Sequence, residues 1–386
     1  MRVVSRFGRA FTVATVVCCL TIPVLSHAAE PAPPALAFNA VWTGHLLDNV
    51  GGGVKTGAGL LSDLELTSTW TGENGWSAYG DLQIVQGKGF SGNYSGDIQM
   101  VSNIDLPTGI HLGELWLRKS ALADQLTSTV GLINLNNVFD VQDAGALFLN
   151  ASHGFGYDFA QSGASAKPLP AFGLIEEWNV SDTLRVRLGV FDAIGGDPEH
   201  PGSFVAVKLR RSEGLQYQFE VESDFKGGYV KIGHWANTVA ADMIDGSGQA
   251  RRPAGTYGQI LVTLLPKGEK DDVGLRGWLR AGVADDKLFS VGDYLGGGLT
   301  YDGPLHGRDQ DTIGVAIASV GFSRAYRATY AMTARETSVE ITYAYEVTPG
   351  VVLQPDLQYV VHPSGDPALH NALVLGLNCR VSLGGS

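Results

Sequence analysis

The feature that most limits what this chain can fold into is a period-two alternation of apolar and polar residues. It sets in near residue 38 and continues almost to the end. Residues 215–222 are the cleanest run: Leu215, Tyr217, Phe219 and Val221 alternate with Gln216, Gln218, Glu220 and Glu222. Residues 184–190 set Leu184, Val186, Leu188 and Val190 against Arg185, Arg187 and Gly189. Residues 113–119 set Leu115 and Leu117 against Glu114, Trp116 and Arg118. Period two belongs to a strand with one apolar and one wet face. Turn signals such as Gly72-Glu73-Asn74-Gly75, Asn179-Val180-Ser181-Asp182 and Pro349-Gly350 separate the runs. About 18 candidate strands result. No stretch of comparable length has helical periodicity, so one all-β domain is expected over residues 38–386.

A soluble sandwich or propeller also has many short strands, but it brings about seven strands or a blade-scale repeat. This chain has no internal repeat. Its short turns alternate with longer polar insertions near 136–168, 194–203, 237–255 and 302–311. Aromatics recur at strand ends: Trp70, Trp76, Trp178, Phe191, Phe225, Trp235, Tyr257, Tyr345 and Tyr359. Those positions suit the interfacial girdles of a transmembrane antiparallel β-barrel, whose strands carry a weak hydropathy signal.

The first 28 residues read as a secretory signal. Arg2, Arg6 and Arg9 precede the apolar stretch 10–25, and Ser26-His27-Ala28 suits cleavage. Residues 29–37, rich in Pro and Ala, read as an extended leader. Cleavage leaves Cys379 as the one cysteine, so no intramolecular disulfide is expected. Of 27 basic residues three leave with the signal, so 24 face 39 acidic ones. That balance argues against a nucleic-acid partner. The expected surroundings are outer-membrane lipid, reached with the barrel-assembly machinery, as monomer or homo-oligomer.

Enzyme motifs are missing. Gly87-Lys88-Gly89-Phe90-Ser91-Gly92 matches a dinucleotide-binding pattern, but an alternating run precedes it and Asn93-Tyr94-Ser95-Gly96 is a poor helix start. It reads as a glycine-rich loop. The chain has no GxSxG and no HExxH, and its nine histidines lack metal-ligand spacing. No catalytic residue, metal or cofactor is assigned. An outer-membrane barrel hydrolase, a lipase or esterase, is the enzyme alternative, and a general non-selective porin is the other.

The chemistry sits on the polar strand faces. Arg118 with Trp116, Arg185 with Arg187, and Arg276 and Arg280 with Trp278 are spaced by two and so share a face, the lumen. Guanidinium forks suit hydroxyl oxygens and indole suits the C–H face of a sugar. Equally, these arginines can pair with Asp and Glu across the interior. Glu336 and Glu340 share a face with Ser338 and Thr342 and are candidates to balance them.

Residues 299–314 (LTYDGPLHGRDQDTIG) resemble a motif of the OprB-type carbohydrate-selective porins. So do residues 336–345, residues 354–359 (QPDLQY) with Pro363, and residues 372–377. Upstream, residues 114–117, Val130-Gly131 and Phe148-Leu149-Asn150 are similar to that family's pattern. The resemblance implies a 16-stranded outer-membrane barrel, often monomeric, that passes sugars and other small solutes through an arginine-rich constriction. With the strand count above, the expectation is 16–18 strands. The chain ends Leu383-Gly384-Gly385-Ser386 without the terminal aromatic typical of barrels, so the assembly signal is expected to be weakened or shifted inward.

Overall fold

A computed structural model describes residues 35–383, apart from Lys88, Pro198, Ala206, Arg211 and Glu269. The expected signal peptide, its cleavage site and the terminal Gly384-Gly385-Ser386 lie outside the described residues.

The strands are β1 (Ala35–Gly53), β2 (Gly57–Thr71), β3 (Trp76–Gln86), β4 (Gly109–Ala121), β5 (Leu126–Ile133), β6 (Ala171–Asn179), β7 (Leu184–Asp192), β8 (Leu215–Phe225) and β9 (Gly228–Asn237). A two-residue ladder, β10 (Ala241–Asp242) with β11 (Ala250–Arg251), sits in the next loop. Then follow β12 (Ala254–Lys267), β13 (Lys270–Ala284), β14 (Val291–Asp302), β15 (Thr312–Phe322), β16 (Arg335–Thr348), β17 (Val351–Val361) and β18 (His370–Leu383). All but β10 and β11 pair antiparallel with their chain neighbours, and β1 pairs with β18, so sixteen strands form a closed barrel. Closure satisfies the backbone and leaves no edge, which a strand assembly needs in lipid.

The alternation becomes the two faces of the wall. On β8, Leu215, Tyr217 and Phe219 are exposed outward, while Gln216, Gln218 and Glu220 are buried inward. The outer surface continues through Leu279, Leu295, Ile317, Ile341, Leu357 and Leu375, an apolar expanse too large for a water-facing surface. Trp70, Trp76, Trp178, Phe225 and Tyr345 point outward near the short-turn end, and Tyr359 points outward nearer the other. Phe191, Trp235 and Tyr257, expected in the girdle, instead point inward and are buried. Their register puts them on the lumen face, where glycines of neighbouring strands make room. A Cβ at Gly233 would overlap the Tyr257 ring, and one at Gly255 would lie 2.6 Å from Trp235.

Three further differences have physical reasons. Strand β1 begins at Ala35, where the prolines end and every residue can donate to the ladder with β2, so residues 35–37 are strand rather than leader. The candidate run at 204–210 is not a strand. The ladders of β7 and β8 are already full on both sides, and this run keeps only isolated contacts such as Leu112 N–H to Phe204 O, 2.7 Å. Residues 91–95, a poor helix start by sequence, form one π-turn closed by Gly96 at φ +78°. The long insertion 87–108 was not marked by composition, and neither was the helix Arg324–Tyr330.

The turns 72–75, 122–125, 180–183, 226–227, 268–269 and 349–350 are short and lie at one end; residues 303–311 form the longest connection there. The insertions 87–108, 134–170, 193–214 and 238–253 lie at the other end. By the rule for outer-membrane barrels, the short-turn end is periplasmic.

Two outcomes are expected. The purified protein should migrate faster on a denaturing gel when unheated than when boiled. Gly233→Val should cost about 1–3 kcal/mol by overpacking and lower the temperature at which the fast band disappears. Gly92→Ala, whose Cβ meets nothing within 4 Å, should leave that temperature unchanged.

Candidate functional site

Two of the long insertions fold into the barrel. Residues 134–170 cover the inner wall of β5–β9 and β12–β15 with an apolar cluster that includes Leu135, Phe139, Phe159, Phe191, Trp235 and Tyr257. Phe159 stacks on Trp235 with ring centroids 5.5 Å apart and planes 6° from parallel. Residues 87–108 pack Phe90, Val101 and Ile104 on Leu47, Leu61, Val360 and Val374.

Irregular backbone inside a barrel leaves N–H groups that need acceptors. Wall carboxylates supply them. Glu336 accepts from Ile98 N–H (3.0 Å) and Gln99 N–H (3.2 Å). Glu340 accepts from Leu149 N–H (2.6 Å) and Asn150 N–H (3.0 Å). Glu114 accepts from Asn134 N–H and Glu220 from Asp140 N–H, each at 2.9 Å. From β17, Gln354 donates to Leu147 O and Gln358 to Val101 O. His153, fully buried 3.5 Å from Glu340, is pushed down to about 3 by burial and is neutral there.

The residues expected to line the lumen occupy three settings. Arg280 is fully buried, ion-paired to Asp140 (2.7 Å) and Asp158 of the 134–170 loop and flanked by the Tyr257 and Tyr294 rings. Beside it Trp278 is buried against Phe148 and Tyr229. Glu336 and Glu340 are fully buried under loop backbone rather than paired with an arginine. Arg187 is nearly buried among Glu177, Glu220 and Glu222 at 2.6–2.7 Å. Arg185 bonds Glu222 (3.1 Å), Arg276 faces Asp302 (3.6 Å), and Arg118 lies over Trp116 at 4.5 Å, all three partly open toward the short-turn end.

Open space lies on the other side of the lumen. A cavity of about 520 Å³ faces the short-turn end, lined by Thr43, Asp63, Glu65, Gln310, Gln354 and Arg380 among others. A second, of about 470 Å³, lies among Gln99, Asn134, Asn136, Gln142 and Tyr157 of the two loops. Both are lined by Asn103, Leu106, Ala146, Phe148 and Lys167, which therefore form the neck between them. Every neck residue comes from a loop and none from a strand. Lys167 bonds Glu65 (3.0 Å) and Asp81 (2.8 Å) on the wall. Burial pulls its ammonium down, but the two carboxylates outweigh that and hold it above its ordinary value, so it stays charged. Sequence reasoning missed the neck because loop residues carry no periodicity. The basic residue within the 136–168 insertion was the one available signal.

A model of the carbohydrate-selective porin, OprB family, matches residues 55–383. The chain belongs to that family. Its fold agrees: the high-pH structure of Pseudomonas putida OprB superposes with a TM-score of 0.79 over 90% of this chain and 94% of that one, at 19% identity. The outer-membrane channel DcaP of Acinetobacter baumannii gives a TM-score of 0.56 over 91% and 98%, at 8% identity. In sequence, Porin B of Pseudomonas aeruginosa is 24% identical over 250 residues, 55% of each chain, so the chain spans about half the length of that curated relative.

Seen in this OprB-family barrel, the motif stretches are fasteners. Residues 299–314 form the long short-side turn, where Asp311 accepts from Arg308, Tyr343 Oη and Glu346 N–H. Residues 354–359 carry Gln354 and Gln358. Phe148-Leu149-Asn150 is the segment bound by Glu340. Among the described residues one exposed group has metal-like spacing, Asp197, Glu199 and His200, and Lys208 already bonds both its carboxylates. Hydrogen bonds from His200 and Lys208 hold the Asp197 carboxyl down at about 2.

Arg280→Ala strands two buried carboxylates, so it should cost about 3–5 kcal/mol and loosen the 134–170 loop. Guanidinium unfolding in detergent and a noisier, larger single-channel conductance should both report it. Arg276→Ala, at a half-open pair, should cost no more than about 1 kcal/mol.

Proposed function

We propose that the protein is a passive outer-membrane diffusion channel for carbohydrates and other small polar solutes, exported by cleavage after Ala28 and selective at the loop-built neck. The observation that carries this reading is the pair of cavities inside a closed barrel, meeting at Asn103, Leu106, Ala146, Phe148 and Lys167. A sugar has hydroxyls and an apolar C–H face. A neck combining an amide, an ammonium and short or apolar side chains can meet both, while carboxamides on either side offer exchangeable hydrogen bonds.

Within this reading the arginines divide by setting. Arg118 with Trp116, Arg185 and Arg276 are open enough to touch solute along the short-turn vestibule. Arg187, Arg280, Trp278, Glu336 and Glu340 act on solute through the loops and wall they hold in place. Passage needs no nucleophile, so sugar flux should be bidirectional, independent of any energy source and insensitive to single Ser or His substitutions. Ester hydrolysis by the pure protein, lost on changing one serine, would favour a hydrolase instead.

The test is swelling of liposomes carrying the protein, in a series of sugars and non-sugars of matched size. Sugars should enter faster; equal rates would indicate a non-selective pore, and no entry would overturn the channel. Lys167→Ala should enlarge the neck and leave Glu65 and Asp81 without their cation. Single-channel conductance should rise and the reversal potential in a KCl gradient should shift toward cation selectivity.

A further inference from the structure

The short-turn cavity holds an arginine that the fold does not use. Arg380 lies on the inward face of β18, opposite Thr43 of β1 and Val352 of β17. Arg118, Arg185, Arg187, Arg276 and Arg280, on the same inner surface, are each engaged by a carboxylate, a hydroxyl or a ring. Arg380 has no ion pair, hydrogen bond or ring contact among the described residues. Its nearest carboxylate along the ladder, Asp63, is two strands away, with Thr43 between. That is roughly 10 Å by strand spacing, beyond ion-pair contact.

Two residues earlier on the same face is Asn378, only 7% exposed. Its amide donates to Gln354 Oε1 at 2.9 Å, but its own Oδ1 is buried and has no partner. A buried acceptor left unpaired is costly unless something donates to it. The cavity therefore presents a free guanidinium fork, which matches an oxyanion, and an orphaned carbonyl oxygen, which needs a hydroxyl. Residues i and i+2 of a strand are about 7 Å apart. One solute satisfying both therefore carries a carboxylate and a hydroxyl several bonds away.

We propose that Arg380 and Asn378 form a recognition site for sugar acids, polyhydroxylated carboxylates, in the short-turn vestibule. This rests on the channel reading and adds an anionic class to its solutes. A neutral sugar leaves the guanidinium unmatched, and a simple carboxylate leaves Asn378 Oδ1 unmatched.

The test uses the purified protein in planar bilayers, with potassium chloride on one side and potassium gluconate or potassium acetate on the other. Arg380→Gln should lower the permeability to both organic anions relative to potassium by roughly fivefold, the worth of one close charge contact in water. Arg380→Lys should restore most of it. Asn378→Leu should reduce gluconate permeability and spare acetate. Glucose entry into liposomes, and the heat-dependent gel shift, should be unchanged in all three variants. Unchanged gluconate permeability in Arg380→Gln, or an equal loss of glucose entry, would overturn the proposal. A wild-type protein that passes glucose but excludes gluconate overturns it alone; one that passes neither overturns the channel reading with it.

Discussion

Everything in this molecule follows from the requirement that no backbone N–H or C=O be left unpaired in lipid. Sixteen antiparallel strands meet it by closing β1 on β18. Closure at that strand number leaves an interior wider than wall side chains alone can fill. The same requirement then returns inside the barrel, because any chain folded into the lumen brings its own peptide groups. Glu114, Glu220, Glu336 and Glu340 answer it by accepting backbone N–H bonds from the inserted loops.

This places the buried charges in an unexpected economy. Carboxylates outnumber arginines on the inner wall, and several are matched to peptide N–H groups instead of to cations. Arg280 works in the opposite sense, as a wall cation receiving two loop carboxylates. Both arrangements bind loop to wall by charge-assisted bonds in a poorly solvated setting, where a broken bond is expensive. The 134–170 loop is held on one flank by Arg280 and Glu220 and on the other by Glu340 and Gln354. Its position is therefore fixed at several points across the lumen, and so is the neck it contributes to.

The sequence made the wall legible and the lumen filling much less so. Period two fixes which face of β8 or β16 turns inward, because a strand has only two faces. It does not say what lies against that face. Glu336 and Glu340 were correctly placed on the lumen side, but a carboxylate that receives an amide looks the same in sequence as one that receives an arginine. Trp235 and Tyr257 occupied strand ends like the girdle residues Trp70 and Trp178. Only register, which sets their side chains opposite Gly255 and Gly233, separates the two groups. The neck residues were hidden for a different reason. Asn103, Leu106 and Ala146 owe their position to long-range contacts of irregular chain, and irregular chain carries no period to read.

The division between wall and loops also separates stability from selectivity. Strand residues face either lipid or a loop over most of the circumference, so a change there alters whether the barrel forms or where a loop rests. The neck residues belong to loops whose backbone is fastened elsewhere. Asn103 and Leu106 follow the Glu336-bound segment and precede β4, and Ala146 and Phe148 precede the Glu340-bound amides. Side chains at the neck can therefore change size or charge while the fasteners keep their geometry. Lys167 is the exception, since its bonds to Glu65 and Asp81 make it both a neck residue and a fastener. A substitution there acts on the width, the charge and the anchoring of the passage together.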